Sequence, residues 1–300
     1  MSTIKIKGKE YRYVIDYKEN DALRDSFNKL TQKVFKFDFK EWYQSGYWKD
    51  QYVPYSIEIK EKIVSNVSVN IINFLVSGIE RKFIQIGTVM TDPDYSELGL
   101  NKLLMEKVIE DWKDRCDLIY LFANDTVLDY YPKFGFVRGI EYQHFKLLNI
   151  KVDKSSYTKL DMSRKENIKF LFNKVNESAQ FSKISMLNNP SNIMFYYTPT
   201  FLSQNVYYIK SLDAVVIAEF DKDILTLKDV FCNKKVDIDD VIEHLANTYT
   251  KKVFLGFTPE HTQNFDVTPI EEGDALFVFG NKIDVLNGKN EMRFPVLSHA

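Results

Sequence analysis

The chain has 300 residues, of which 45% are hydrophobic and 27% charged, a balance typical of a soluble globular protein with one large or two ordinary domains. The formal net charge of −2 gives no support to nucleic acid or an anionic membrane as a partner, because acidic and basic residues are interspersed. The two cysteines, Cys116 and Cys232, and the four scattered histidines show no metal-ligand or disulfide spacing, so we expect no metal site and two reduced thiols.

The first half of the chain alternates predicted strands and helices. It begins without the apolar segment of a signal peptide, and no later run reaches the roughly 18 apolar residues of a membrane span, so we expect a cytoplasmic protein. A strand over residues 11–17 precedes a helix that Asn20 can cap, with apolar residues recurring every three or four positions. Three further strands are predicted over residues 55–59, 64–74 and 82–90. A Ser77-Gly78 pair joins the last two as a hairpin turn.

The short aromatic segment 42–48 is predicted to be a second helix, and a third helix and an apolar strand complete this half. Leu104, Val108 and Trp112 form one stripe of the helix, as expected if it packs on a sheet. The run 118–123 is continuously apolar, as expected of a strand that is buried on both faces. Mixed βαβ units with a hairpin indicate an α/β domain (α+β, with a mixed sheet) over residues 1–150.

The second half, residues 151–300, repeats this order of elements. A helix near residues 166–175 is followed by three strands, a helix that Asp237 precedes, and two closing strands. The predicted strands lie over residues 206–209, 214–220, 224–230, 253–257 and 275–279. We therefore predict a second domain of similar topology.

The loop before the third helix is the first candidate for a binding site. It runs Ser96-Glu-Leu-Gly-Leu-Asn101. Gly99 would let the backbone approach a phosphate closely, and a helix N-terminus offers unpaired N–H groups and the positive end of the dipole. Taken alone, however, such a loop is more often an ordinary turn between a strand and a helix.

Several motifs in a fixed order resemble the GNAT superfamily of N-acyltransferases over about residues 10–147. The turn 92–95 resembles the family's x-Pro-Glu-Tyr turn, and the run 132–136 resembles the ending that follows its tyrosine. Asn124 and Tyr131 match the ends of its Asn-x-x-Ala-x-x-Phe/Tyr-Tyr pattern. The loop after the turn departs from the family's Arg/Gln-x-x-Gly-x-Gly/Ala: Ser96 replaces the basic or amide residue, and Glu97 adds an acid.

The resemblance implies the GNAT acyl-CoA N-acyltransferase fold in two tandem GNAT-like domains. Residues 1–150 would hold the acetyl-CoA site. Residues 151–300 would be a degenerate copy without a CoA loop, because the run 231–236 contains no glycine. In such a fold the strand before the loop is bulged and splays from the next parallel strand.

The resemblance further implies acetyl-CoA as cosubstrate and direct attack by a primary amine. The residues placed at CoA are Val89, Met90, Thr91, Ser96, Glu97, Leu98, Gly99, Leu100, Asn101, Lys102, Asn124 and Tyr131. A free backbone N–H near Val89 would stabilise the developing oxyanion, and Tyr131 would protonate the departing thiolate. The alternative interpretation of Tyr131 is a tyrosine that only packs in the core.

The acceptor site is less constrained by the sequence. Glu58 and Gln85 lie on strands that could face the cleft, and Asn66 and Asn70 share one strand face because their spacing is even. These four are candidates for binding the acceptor, although two solvent-facing asparagines fit the same pattern. The aromatic segment 42–48 could line the acceptor pocket, but core packing is the more conservative interpretation.

Two functions remain open at this stage. The first is an acetyltransferase that acts on a small-molecule or peptide amine, with a homodimer as one option for its assembly. In some two-domain relatives a C-terminal carboxylate serves as base, which makes Ala300 a candidate for that role. The second is a non-catalytic CoA-binding or partner-binding module, which the altered loop at Ser96 and Glu97 favours.

Overall fold

The computed structural model of the protein describes residues 2–6, 8–151, 153–187, 190–197, 201–280 and 291–299. Ala300 lies outside these residues. Its helices are α1 (Asp21–Phe35), α2 (Lys40–Gln44), α3 (Leu100–Trp112), α4 (Lys165–Asn176), α5 (Pro190–Tyr197) and α6 (Ile238–Leu245). Its strands are β1 (Ser2–Ile6), β2 (Lys9–Ile15), β3 (Tyr52–Ile59), β4 (Lys62–Val76), β5 (Ile79–Thr91), β6 (Leu118–Ala123), β7 (Phe136–Arg138), β8 (Tyr142–Leu147), β9 (Thr158–Lys159), β10 (Ile184–Met186), β11 (Val206–Ile209), β12 (Ala214–Asp221), β13 (Ile224–Phe231), β14 (Lys252–Leu255), β15 (Asp266–Pro269) and β16 (Ala275–Phe279).

The first sheet has the order β1-β2-β3-β4-β5-β6-β16-β7, and β10 pairs with β4 outside this path. Among its described strands β5 and β6 form the one parallel pair, because α3 carries the chain back across the sheet between them. The predicted hairpin between β4 and β5 is confirmed. Ser77 and Gly78 both have positive φ (48° and 83°), which suits a two-residue hairpin turn.

The second sheet has the order β15-β8-β14-β13-β12-β11-β9. Its β13 and β14 are parallel, and the crossover between them contains α6. The apolar face of α6 is buried against this sheet, as the spacing of its apolar residues predicts. The predicted mixed α/β class is therefore confirmed for both halves.

Each half of the chain contributes a strand to the sheet of the other half. The strand β16 lies between β6 and β7, whereas β8 lies between β14 and β15. This pairing differs from the expectation that residues 275–279 close the sheet of the second half. An apolar run such as this one shows that a strand is buried, but it does not identify the partner strand. The sheets consequently do not divide at residue 150.

An aromatic core lies between α1, the segment 37–48 and the first sheet. Trp42 and Trp48 are 3% and 4% exposed, so the segment packs in the core as the conservative interpretation predicts. Helix α1 begins where the sequence predicts, because the Asn20 side chain accepts a hydrogen bond from the Leu23 N–H at 3.1 Å. This packing fixes α1 beside the strands that carry the candidate site.

Candidate active site

The parallel strands β5 and β6 diverge towards their carboxyl ends. Their pairing covers only 83–86 with 118–121. The register between β4 and β5 shifts at the same point, so that Thr88 and Val89 lie opposite the single residue Val67. Such a bulge bends a strand and increases its twist. The result is an opening between β5 and β6, which we call the first wedge, and it agrees with the splayed strands that the resemblance implies.

A cavity of about 630 Å³ occupies the first wedge and continues along the start of α3. We call it the large cavity, and its volume lies in the range of about 300–1,000 Å³ that is common for ligand sites. Ten of the twelve residues predicted at CoA line it: Val89, Thr91, Ser96, Glu97, Gly99, Leu100, Asn101, Lys102, Asn124 and Tyr131. Met90 instead packs in the aromatic core, because neighbouring side chains of a strand point to opposite faces. Leu98 packs against the core below α3.

The large cavity also has aromatic walls that the sequence analysis did not single out. They come from the end of α1 and the loop after it, from the turn before α3, from β6 and from the segment that follows β6. The residues are Phe35, Phe37, Tyr95, Phe122 and Tyr130. Sequence spacing could have identified Phe122, since it alternates with residues whose side chains point to the opposite face of β6.

The N-terminus of α3 is suited to an anion. Gly99 precedes it with φ +80° and no side-chain cap, and the first turn carries no acidic residue. The backbone N–H groups of this turn therefore form no hydrogen bond with a capping side chain. The positive end of the helix dipole faces the large cavity. Asn101 is held in place because its Oδ1 accepts from the Ser65 hydroxyl at 2.8 Å. The acid at Glu97 is exposed on the rim.

The turn that leads into this loop is anchored by Asp92. Its buried carboxylate contacts Lys33 Nζ at 2.5 Å and Lys62 Nζ at 2.6 Å, and it accepts from the Asp94 N–H at 3.2 Å. Burial alone would raise the pKa of Asp92, but the two ammonium groups and the N–H lower it to about 2. The turn therefore keeps an ionised anchor at physiological pH.

Tyr131 lies at the inner end of the large cavity and is 6% exposed. Its ring packs against Phe136 and against Phe277 of β16, with centroids 6.2 and 5.8 Å apart. Among the described residues its hydroxyl has no hydrogen-bond partner. Burial raises the pKa of Tyr131 to about 12, so the hydroxyl keeps its proton at neutral pH and is available as a donor.

A second, smaller cavity adjoins the large one. It has a volume of about 50 Å³ and shares Phe37 and Thr88 with the large cavity. We call it the small cavity. Its walls are mainly the aromatic side chains Phe37, Phe39, Trp42, Tyr52 and Phe195. The Thr88 hydroxyl is bonded to the Tyr52 hydroxyl at 2.8 Å, which fixes the bulged residue between the two cavities.

The four predicted acceptor residues are all buried, so the solvent-facing alternative for the two asparagines is wrong. Asn70 lines the small cavity, and its Oδ1 is buried without a hydrogen-bond partner. Gln85 lies behind it, 3.4 Å from the Asn70 amide nitrogen. Asn66 supports the bulge by donating to the Thr88 carbonyl at 2.9 Å. Glu58 forms an ion pair at 2.9 Å with Arg12 on β2 and does not line either cavity within the described part of the chain.

Within the described ranges, no three or more His, Cys, Asp or Glu side chains are grouped closely enough to hold a metal ion. No helix in those same ranges is long and apolar enough to cross a membrane.

The fold is similar to that of several crystal structures. A conserved protein of unknown function from Enterococcus faecalis, described as a probable N-acyltransferase, aligns with a TM-score of 0.59 and 12% identity over 92% of this chain and 74% of its own. A GCN5-related N-acetyltransferase from Kribbella flavida aligns with a TM-score of 0.54 and 12% identity, over 89% of this chain and 71% of its own. Eis1 from Mycobacterium abscessus aligns with a TM-score of 0.54 and 12% identity, over 92% of this chain and 74% of its own. At such low identity these likenesses establish the fold alone.

The family comparison concerns the sequence itself. No curated protein matches the chain at a significant level. Residues 16–139, which contain the first wedge, Gly99 and Tyr131, match the family model for the acetyltransferase (GNAT) domain. The structural likenesses extend beyond this stretch, over 89–92% of the chain. Residues 16–139 are therefore a GNAT acetyltransferase domain.

Proposed function

We propose that the protein is an N-acetyltransferase that moves the acetyl group of acetyl-CoA to a primary amine by direct attack. The observation that carries the proposal is the convergence of three features on one cavity. These are the bulge at Thr88 and Val89, the uncapped N-terminus of α3, and the Tyr131 hydroxyl. Together they match the needs of a thioester with a pyrophosphate at its far end.

In the proposed reaction the amine nitrogen attacks the carbonyl carbon of the thioester. The carbonyl oxygen gains negative charge, which a backbone N–H at the Val89 bulge would stabilise. The carbon–sulfur bond then breaks, and its electron pair leaves with sulfur. The thiolate takes the proton of Tyr131, and the former amine nitrogen loses the proton that restores the tyrosine hydroxyl.

The small cavity is the proposed site of the acceptor. Its volume of about 50 Å³ holds about four groups the size of a water molecule, so it suits the amine-bearing end of the acceptor. Its aromatic walls favour an ammonium or its neutral amine on an apolar stem, because ring faces attract cations and pack well against methylene groups. We therefore propose an acceptor whose amine is carried on an apolar or aromatic group.

The competing candidate is a module that binds CoA or a partner without catalysis. The observation that favours it is the loop itself, where Ser96 donates to the Pro93 carbonyl and Glu97 places an acid on the rim. Both changes weaken the attraction for a pyrophosphate relative to a basic residue. The Tyr131 hydroxyl in the large cavity favours the enzyme.

Two measurements separate these functions. Thermal unfolding with CoA and acetyl-CoA tests binding, since a ligand that binds only the native state stabilises it by about 2.7 kcal/mol at 100 times its Kd. Thiol release from acetyl-CoA is then followed with 2-phenylethylamine, spermidine and a lysine peptide. Amine-dependent release is expected with 2-phenylethylamine. A stabilising shift without release from any of the amines would support the binding module instead.

A further inference from the structure

The acceptor side of the cleft contains one ionisable imidazole. His299 lines the small cavity together with Asn70 and Thr88. Its ring stacks on Phe122, with centroids 3.6 Å apart and planes at 20°, and Phe122 lines the large cavity. Among the described side chains that line the small cavity, His299 is the one that carries a basic ring nitrogen. It lies where the two proposed substrates would meet.

The segment that carries His299 is firmly placed. Phe294 is 1% exposed and stacks on Tyr120, with centroids 4.3 Å apart. The Val296 N–H donates to the Gly256 carbonyl at 2.8 Å, and the Ser298 hydroxyl donates to the Pro295 carbonyl at 2.7 Å. These contacts come from both halves of the chain, so the position of the imidazole is set by the core.

A buried carboxyl group lies behind the imidazole. Glu141 Oε1 accepts from the Phe294 N–H at 2.8 Å and lies 4.0 Å from His299 Nε2. That ring nitrogen is buried and has no hydrogen-bond partner among the described residues. The gap is longer than a hydrogen bond, but catalytic contacts often shorten only when substrate or charge is present.

The electrostatics of the pair disfavour a charged imidazole and favour the transfer of its proton to the carboxyl group behind it. Burial raises the pKa of Glu141 to about 7, and burial together with Arg293 lowers the pKa of His299 to about 3. The imidazole is therefore neutral before the acceptor binds. The charged groups that face the pair are Arg293 and Lys228, both cationic, which oppose a lasting positive charge on the ring. A carboxyl group with a pKa near 7 is well matched to hold the proton.

We propose that His299 is the general base of the acetyl transfer and that Glu141 is its positioning residue. The proposal rests on the proposed function and adds to it the group that activates the acceptor. The ammonium of the acceptor gives a proton to Nδ1, while the Nε2 proton passes to the Glu141 carboxylate. The neutral amine then attacks the thioester, and the proton held by Glu141 returns to solvent after acetyl transfer.

The first test is His299→Gln in the full chain, with 2-phenylethylamine as acceptor. We expect kcat at pH 7 to fall by about 100-fold, because a general base contributes about 10²–10⁴. The KM for acetyl-CoA should not change. The deficit should shrink as the pH rises towards about 10, where the amine loses its proton without help. His244→Gln, at a half-buried histidine of α6 remote in sequence from the cleft residues, is the matched control and should behave as wild type.

The second test is Glu141→Gln, which keeps an oxygen for the Phe294 N–H. We expect about a 10-fold fall in kcat, with an unchanged KM for acetyl-CoA and the same recovery at high pH. If Glu141 gave only structural support, its loss would reduce kcat by the same factor at every pH. If thermal unfolding shows that His299→Gln is not properly folded, His299→Ala is used in its place. Imidazole added to the assay then replaces the missing ring, and we expect it to restore turnover.

The outcomes distinguish the proposed acetyltransferase function from the proposed role of His299 as its general base. Wild-type thiol release together with an unimpaired His299→Gln would overturn the base while leaving the proposed function intact. A deficit that is constant across pH would also overturn the base, as would failed rescue by imidazole in a folded His299→Ala. A wild-type protein that releases no thiol with any amine would overturn the proposed function, and the base with it.

Discussion

The two halves of the chain each contain a pair of parallel strands that diverge, and the space between the strands is filled to different extents in the two pairs. The second wedge lies between β13 and β14, whose pairing covers 224–227 with 252–255, and a register shift in the neighbouring strand pair accompanies it. Here the chain fills its own opening. The Val296 N–H bonds to the Gly256 carbonyl, and the remaining cavity beside Asp229 is about 90 Å³, against about 630 Å³ in the first wedge.

The helices that follow the two wedges differ in the same sense. Helix α6 is capped by Asp237, which accepts from the Asp239 N–H at 2.9 Å, and its first turn carries two acids. Helix α3 has Gly99 at this place and no acid in its first turn. One topology therefore gives a ligand site only where the chain leaves both space and unpaired donors. The predictions below alter one wedge at a time, beginning with the largest expected effect.

Tyr131→Phe tests whether the first wedge is catalytic. We expect kcat to fall by about 10²–10⁴-fold, because the leaving thiolate loses its proton donor. Binding of CoA should persist, since the ring still packs against Phe277. Thiol release at saturating acetyl-CoA gives the first quantity, and thermal unfolding with CoA gives the second. An unchanged rate would assign Tyr131 to packing alone.

The glycines of the two wedges should respond differently to alanine. At Gly256 a Cβ would lie 2.8 Å from the Lys228 backbone and from the Val296 side chain, so Gly256→Ala should cost about 3 kcal/mol in the free energy of unfolding. At Gly99 a Cβ would meet open space. Gly99→Ala should therefore lower the free energy of unfolding by only about 1–2 kcal/mol, because alanine is disfavoured at a φ of +80°. Urea unfolding measures both. Equal losses would contradict the view that only the second wedge is filled.

Asn101→Asp makes α3 resemble α6. The new carboxylate keeps the acceptor for the Ser65 hydroxyl but puts a negative charge in the first turn. We expect CoA to bind about 3- to 10-fold more weakly, and the loss to diminish with added salt. Titration calorimetry at two salt concentrations checks this. Asp239→Asn in α6 is the matched control, for which an altered CoA affinity would show that the ligand binds elsewhere.

Ser96→Arg is the smallest change and acts in the opposite direction. It restores the basic residue that resembles the family pattern, on an exposed part of the loop. We expect CoA to bind about 2- to 5-fold more tightly at low salt, because the added charge is near the surface and is screened by solvent. The same calorimetric titration detects the gain. Weaker binding would place the pyrophosphate away from this loop.

The sequence predicts those parts of the molecule that depend on local signals. The cap at Asn20, the turn at Ser77 and Gly78, and the continuous apolar run of β6 each act within a few residues, and each is confirmed. The ten cavity residues predicted at CoA follow from motifs of fixed spacing, although their binding roles remain predictions. Local signals thus locate the first wedge.

What the sequence does not predict depends on distant pairing. The position of β16 and the stacking of His299 on Phe122 join residues more than 140 positions apart, for which periodicity contains no information. Glu58 illustrates the same limit within one sheet. Its strand was correctly predicted, but its ion pair with Arg12 depends on the neighbour that β3 acquires.

The exchange of β8 and β16 between the sheets has a consequence for how the molecule is made. A nascent chain that ends near residue 150 has β6 and β7 but not the strand that lies between them, so both keep unpaired edges. The ring that supports Tyr131, Phe277, is also still to be synthesised. We therefore expect the first wedge to form late in folding, after about residue 279 has left the ribosome, with the two halves completing each other in one cooperative step.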